Sequence, residues 1–127
     1  MPRTIAITGA PGWLGTTLAQ ALSEGAQFRS IQQEPVRVRC LVEPSVDSSV
    51  LRGLGGDVEV VPVDIRKAES VNGALDGCDA VVHAAGVIHP SRIRDLYDVN
   101  VLGTRHIIDE AIRAGVKRLS FIIRMII

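Results

Sequence analysis

Aromatic residues make up only 3% of the 127-residue sequence: one Trp, one Tyr and two Phe. So few rings argue against a platform on which nucleic-acid bases stack. Neither sign of charge is in excess, since 14 Lys and Arg balance 14 Asp and Glu. That leaves no basic face for nucleic acid and no acidic tail for a cationic partner. The two cysteines, Cys40 and Cys78, lack C-x-x-C spacing. They read as reduced, small apolar residues of a cytoplasmic protein and not as a disulfide framework. No apolar run reaches the ~18 residues that span a bilayer, so no membrane partner is expected. Gly9, Pro11 and Gly12 interrupt what would be the apolar stretch of a secretory leader. Core material, in contrast, is plentiful. Hydrophobic residues are 46% of the chain, which argues against disorder and suits one domain or part of one.

Strand and helix patterns alternate along the sequence. Thr4–Thr8 is a short apolar strand. Gly12–Glu24 carries Leu14, Leu18, Ala21 and Leu22 at helical spacing, with Gly25 as a C-terminal stop. Ala26–Pro35 is polar and reads as a loop before a second strand, Val36–Val42. A turn at Pro44–Ser49 and a short helix at Val50–Leu54 lead to the third strand, Val58–Val63. Lys67–Leu75 places Ala68, Val71, Ala74 and Leu75 on one helical face, and Asp79–His83 is the fourth strand. The longest helix is expected from about Ser91 to Ala114, with Ile93, Leu96, Tyr97, Val101, Ile108, Ala111 and Ile112 on its apolar side and Gly115 ending it. A fifth strand begins at Leu119–Ile123. Alternation of this kind predicts an α/β fold: a doubly wound parallel sheet of Rossmann type with right-handed crossovers. The expected strand order is 3-2-1-4-5, with a ligand at the carboxyl ends of strands 1 and 4, where the order reverses. No internal repeat or low-complexity segment is visible.

The most informative stretch is Thr8-Gly9-Ala10-Pro11-Gly12-Trp13-Leu14-Gly15, a glycine-rich turn between the first strand and the first helix. Gly9 lets the chain leave the strand in a tight turn. Gly12 lets the backbone approach a pyrophosphate. Gly15 lets the helix pack against the sheet. The helix N-terminus then offers amides and the positive end of its dipole to phosphate. The spacing is G-x-x-G-x-x-G, and it resembles the extended, epimerase/dehydratase-like branch of the short-chain dehydrogenase/reductase superfamily. Two further elements share that resemblance. His83-Ala84-Ala85-Gly86 is similar to the H-A-A-G element that ends strand four, where small residues let a dinucleotide cross the strand end. Asp98-Val99-Asn100-Val101-Leu102-Gly103-Thr104 looks like the family's V-N-V-x-G-T element, in which the asparagine hydrogen-bonds across to strand four.

Three other positions follow the same frame. Glu43, after strand two, can accept hydrogen bonds from the adenosine ribose and repel a 2′-phosphate. It stands 28 residues after Gly15, beyond the usual ~20, and the Ala26–Pro35 loop accounts for the excess. Arg37 and Arg39 fall within the strand, so NAD is expected ahead of NADP. Asp64-Ile65 follows strand three, where similar enzymes meet the adenine amino group and ring edge; a helix cap before Lys67 is an equally open role for Asp64. His83 reads as an imidazole satisfied within the fold. The cofactor residues implied are therefore Gly9, Pro11, Gly12, Trp13, Leu14, Gly15, Glu43, Asp64, Ile65, Ala84, Ala85, Gly86 and Asn100.

The resemblance covers the chain to about Arg118 and then breaks. In this family a serine or threonine after strand five polarises the substrate. A Tyr-x-x-x-Lys pair further on supplies the acid/base. Here Ile122, Ile123 and Arg124 stand where the serines belong, and Tyr97 is followed four residues later by Val101. No catalytic residue is assigned, and no metal. The first reading is an NAD-binding domain over residues 1–127, the N-terminal part of an epimerase, dehydratase or reductase that transfers hydride at a carbinol carbon of a small-molecule substrate, with its substrate part elsewhere. The alternatives are a non-catalytic NAD(P)-binding regulatory module and a truncated, inactive product. The apolar run through Leu119, Phe121, Ile122, Ile123, Met125, Ile126 and Ile127 is expected to be a sheet edge that favours aggregation or a homo-oligomer.

Overall fold

A computed structural model of the chain describes residues 3–23, 36–86 and 90–122. The expected loop at Ala26–Pro35, the helix end at Glu24 and Gly25, and residues 123–127 lie outside these. Five strands form one sheet: β1 (Thr4–Thr8), β2 (Arg37–Val42), β3 (Val58–Pro62), β4 (Ala80–His83) and β5 (Arg118–Phe121). Their spatial order is β3-β2-β1-β4-β5, and every adjacent pair is parallel. This is the order read from the alternation. In β1 the pleat sends successive residues to opposite faces. Ala6 packs with Leu75, Ile107 and Ala111 on one face, and Ile7 packs with Ala19, Cys40 and Leu51 on the other. A parallel sheet buried on both faces needs such continuous apolar strands.

The helices are α1 (Trp13–Ser23), α2 (Ser49–Arg52), α3 (Ala68–Val71), α4 (Arg94–Tyr97) and α5 (Thr104–Ala114). Two regions depart from expectation. The helix expected over Lys67–Leu75 is only four residues long. The chain leaves the helix at Asn72, whose ψ is 124°, and Gly73 completes the turn at φ +83°, although Val71, Ala74 and Leu75 still reach the core. The long helix does not keep a constant pitch: between α4 and α5 the backbone opens into a π-helical segment, Asp98–Gly103. Its expected apolar face is therefore wrong over much of its length. Ile93, Leu96, Tyr97, Val101 and Ile112 are exposed. The residues that turn inward include Asp95, Val99, Gly103, Ile107 and Ala111. The wider turn over Asp98–Gly103, which holds more than the roughly 3.6 residues of an α-helical one, shifts the phase with which α5 presents Ile107, Glu110 and Ala111 inward.

Buried polar groups tie these elements together. Glu110 is 5% exposed, and its carboxylate accepts the Leu75 amide at 3.1 Å and the Arg113 guanidinium at 2.6 and 3.0 Å. These hydrogen bonds, Arg113's first, hold its carboxyl below the usual range. Arg39 leaves β2 on the α3–α5 side, donating to the carbonyls of Ala74 and Asp76 at 3.0 and 2.7 Å and pairing with Glu59. Cys40 and Cys78 are buried free thiols, and burial pushes Cys40 up to about 11. Among the described residues no helix is long and apolar enough to cross a membrane.

Candidate functional site

The turn after β1 is shaped by close backbone approach. Gly9 adopts φ +91°, and a Cβ there would lie 2.7 Å from the carbonyl carbon of Ala84 and 2.8 Å from the Ala85 nitrogen. The loops after β1 and β4 thus touch backbone to backbone, which only glycine permits. At Gly12 a Cβ would lie 2.6 Å from the Gly9 carbonyl oxygen, the same oxygen that accepts the Gly12 amide at 2.9 Å. At Gly15 it would lie 2.8 Å from the Ala10 nitrogen. Gly15 therefore lets α1 pack on the turn, not on the sheet as expected. Each glycine is required by the fold of the turn itself, before any ligand is considered.

A hydrogen-bonded chain links the two loops to α5. Thr8 Oγ1 accepts the amides of Ala84 and Ala85, both at 3.1 Å. With both lone pairs engaged, the hydroxyl donates to His83 Nδ1 at 2.7 Å. That assigns the tautomer: Nε2 carries the proton and donates to Thr104 Oγ1 at 2.9 Å. The ring meets Phe121 edge-on at 5.8 Å, and burial pushes its pKa down. His83 is a satisfied, neutral imidazole.

These loops form part of a cleft of about 460 Å³ at the carboxyl ends of β1 to β4, within the usual size for a ligand site. Gly9, Pro11 and Gly12 line it, as do Ala85 and Gly86, and so do Glu43, Asp64 and Ile65. Trp13, Leu14, Gly15, Ala84 and Asn100 are not part of its wall. The first three begin α1, and Trp13 is 79% exposed. Asn100 stands beside the wall, its Oδ1 3.5 Å from where a Gly86 Cβ would sit. Gly103 makes the matching approach to Ile65: a Cβ there would lie 2.7 Å from Ile65 Cδ1. The π-helical segment seats against the cleft through these two positions, and it brings Val99 into the wall.

Two carboxylates on this wall are held differently. Glu43 accepts the amide of Ser45 at 3.1 Å and also its hydroxyl. Asp64 is 7% exposed and takes a two-pronged contact from Arg66, Nε to Oδ1 at 3.0 Å and Nη2 to Oδ2 at 2.9 Å. That contact holds its carboxyl below the usual range. Asp64 does not cap α3: the cap position is Lys67, and Asp64 Oδ1 instead receives the Arg66 amide at 3.1 Å. Arg66, Val46, Val99, Leu41, Val63, Ala10 and Thr8 also line the cleft, and sequence reasoning did not assign them to it. Arg66 and Thr8 carried a signal, as polar groups adjoining motif residues. The aliphatic positions carried none.

A model of the 3-beta hydroxysteroid dehydrogenase/isomerase family matches residues 6–125. The chain is 36% identical over 118 residues to sterol demethylase protein B of Methylococcus capsulatus, covering 91% of this chain and 33% of that protein. It is 29% identical over 122 residues to an NAD-dependent glucose-6-phosphate dehydrogenase of Haloferax volcanii, covering 95% and 43%. Among solved structures, the WbmG enzyme of Bordetella bronchiseptica superposes with a TM-score of 0.77 at 23% identity, over 95% of this chain and 37% of that one. The last likeness shows the shared fold. The chain spans less than half the length of each of these proteins.

Proposed function

The chain belongs to the 3-beta hydroxysteroid dehydrogenase/isomerase family, and from that premise we propose that residues 1–127 form an NAD-binding domain serving hydride transfer at a carbinol carbon. One observation carries the reading. The Gly9–Gly12 turn and the Ala85-Gly86 loop, which touch backbone to backbone at Gly9, together wall the cleft at the ends of β1 and β4 with glycines and small side chains. A pyrophosphate crossing those strand ends needs such a wall. The amides of Trp13 and Leu14, just beyond the cleft wall at the start of α1, where intrahelical acceptors are missing, would hold it. Glu43 would take the ribose hydroxyls and disfavour a 2′-phosphate, so NAD is preferred to NADP. Asp64 and Ile65 would take the adenine. NAD, when bound, supplies the hydride acceptor; this chain's residues supply binding and orientation. A relative's NAD dependence supports the same cofactor.

Within these 127 residues Val101, not Lys, stands four residues after Tyr97, so they are expected to bind NAD without transferring hydride by themselves. The buried free thiols fit a cytoplasmic setting. Any self-association is assigned to β5, the edge of the sheet, where Phe121 is 48% exposed. Thermal unfolding with and without NAD tests the binding claim. Saturation at about 100 times Kd adds about 2.7 kcal/mol and raises Tm by several degrees. No shift at millimolar NAD contradicts it.

A further inference from the structure

Asp64 can accept about four hydrogen bonds, two at each carboxylate oxygen. Arg66 fills three of these positions by itself. Its backbone amide and Nε both donate to Oδ1, at 3.1 and 3.0 Å, and Nη2 donates to Oδ2 at 2.9 Å. Oδ1 is therefore saturated, and among the described residues one acceptor position remains, on Oδ2. Asp64 and Arg66 both line the cleft, with Asp64 almost fully buried, so this single position is what the carboxylate offers a bound base.

We propose that Arg66 is a positioning residue that sets the base preference of this cleft: its fork turns Asp64 into a one-site acceptor that receives a 6-amino purine and rejects a 6-oxo purine. The proposal rests on the placement of adenine at Asp64 made above. A 6-amino group donates a hydrogen to the remaining Oδ2 position. A 6-oxo group brings an oxygen against it. Relief requires protonating Asp64, rotating its carboxyl, or shifting the whole base so that its N1–H donates instead, and Arg66 opposes the first two. The fork fixes the carboxyl plane, and its charge keeps the group ionised. Asp64 first, then Asp95 on α4 and Glu43 just after β2, favour the charged guanidinium. A lysine would keep the charge but lose the planar fork.

The test is calorimetric titration of the chain with NAD and with nicotinamide hypoxanthine dinucleotide, in wild type, Arg66→Met and Arg66→Lys. Methionine keeps an aliphatic stem, and unchanged Tm and circular dichroism identify a folded variant. Wild type is expected to favour NAD by about tenfold or more, the equivalent of about 1.4 kcal/mol. In Arg66→Met the preference falls to about threefold or less, and Arg66→Lys lies between. A purely structural role would weaken both ligands equally and leave the ratio unchanged, and that result overturns the proposal. Should Arg66→Met not fold, Arg66→Lys decides: a ratio equal to wild type overturns it. If wild type binds both dinucleotides equally, the adenine placement at Asp64 fails, and the proposal with it. If it binds neither, the NAD reading itself fails.

Discussion

The hydroxyl oxygen of Thr8 lies 2.7 Å from Nδ1 of His83, joining the ends of β1 and β4, where the sheet order reverses. Because Thr8 also receives the Ala84 and Ala85 amides, one side chain anchors the loop that must stay open for a ligand. The geometry works only with a neutral imidazole. A proton on Nδ1 would bring a third donor to an oxygen whose lone pairs are already engaged.

Stability should follow that proton. Burial lowers the folded pKa of His83 below its ordinary 6.5, so the unfolded chain takes up the proton first. The contribution is present in full above about pH 6.5 and is lost as pH falls through the folded pKa. Tm is expected to decline between about pH 7 and pH 5. His83→Gln should cost about 1–3 kcal/mol at neutral pH for the partners left unpaired, lowering Tm there and flattening the decline. A wild-type Tm that is level over that range counts against the neutral, fully bonded imidazole.

Gly103→Ala should act along the cleft wall. The new methyl would meet Ile65 Cδ1 at 2.7 Å. Ile65 Cγ1 would lie at 2.8 Å as well, so the side chain must turn about χ1, where a β-branched residue is stiff, and the stability loss should be about 1–3 kcal/mol. Ile65 lines the cleft, and its displacement should weaken NAD several-fold. Paired Tm and affinity measurements check this; unchanged affinity would place Ile65 outside the base site.

The sheet and its ligand-bearing end were legible in the sequence because each rests on a local rule. Alternating strand and helix patterns require parallel crossovers, and Gly9, Gly12 and Gly15 mark places where no side-chain volume fits. What escaped depends on geometry that no local pattern contains. The π-helical turn at Asp98–Gly103 rephases the helix, so a regular α-helical period chose Leu96 and Val101 over Val99 and Ile107. The Asn72-Gly73 turn ends α3 early while Val71, Ala74 and Leu75 stay buried. Glu110 and Arg39 look like solvated charges in sequence, yet they serve backbone groups 35 residues away.

Charge at the ribose end should decide between cofactors. Glu43 lines the cleft, so NAD should bind at least about tenfold more tightly than NADP, roughly 1.4 kcal/mol. Glu43→Arg should reverse the order. Tighter NADP binding by wild type would remove Glu43 from the ribose.

The two ends of the glycine passage should respond differently to added bulk. Gly12→Val strikes the Gly9 carbonyl, so it should lower Tm as well as weaken NAD. At Gly86 the nearest atom to a new Cβ is Asn100 Oδ1, at 3.5 Å, an ordinary contact. Gly86→Ala should therefore keep Tm while weakening NAD, and a variant that keeps both would argue that the dinucleotide does not cross the end of β4.

Calorimetric titration of the 127-residue chain with NAD decides whether the cleft takes the dinucleotide. Saturable binding at one site per chain is expected, without hydride transfer to or from any alcohol or ketone supplied. A folded chain that gives no saturable heat with millimolar NAD would contradict the assignment of this cleft to the dinucleotide.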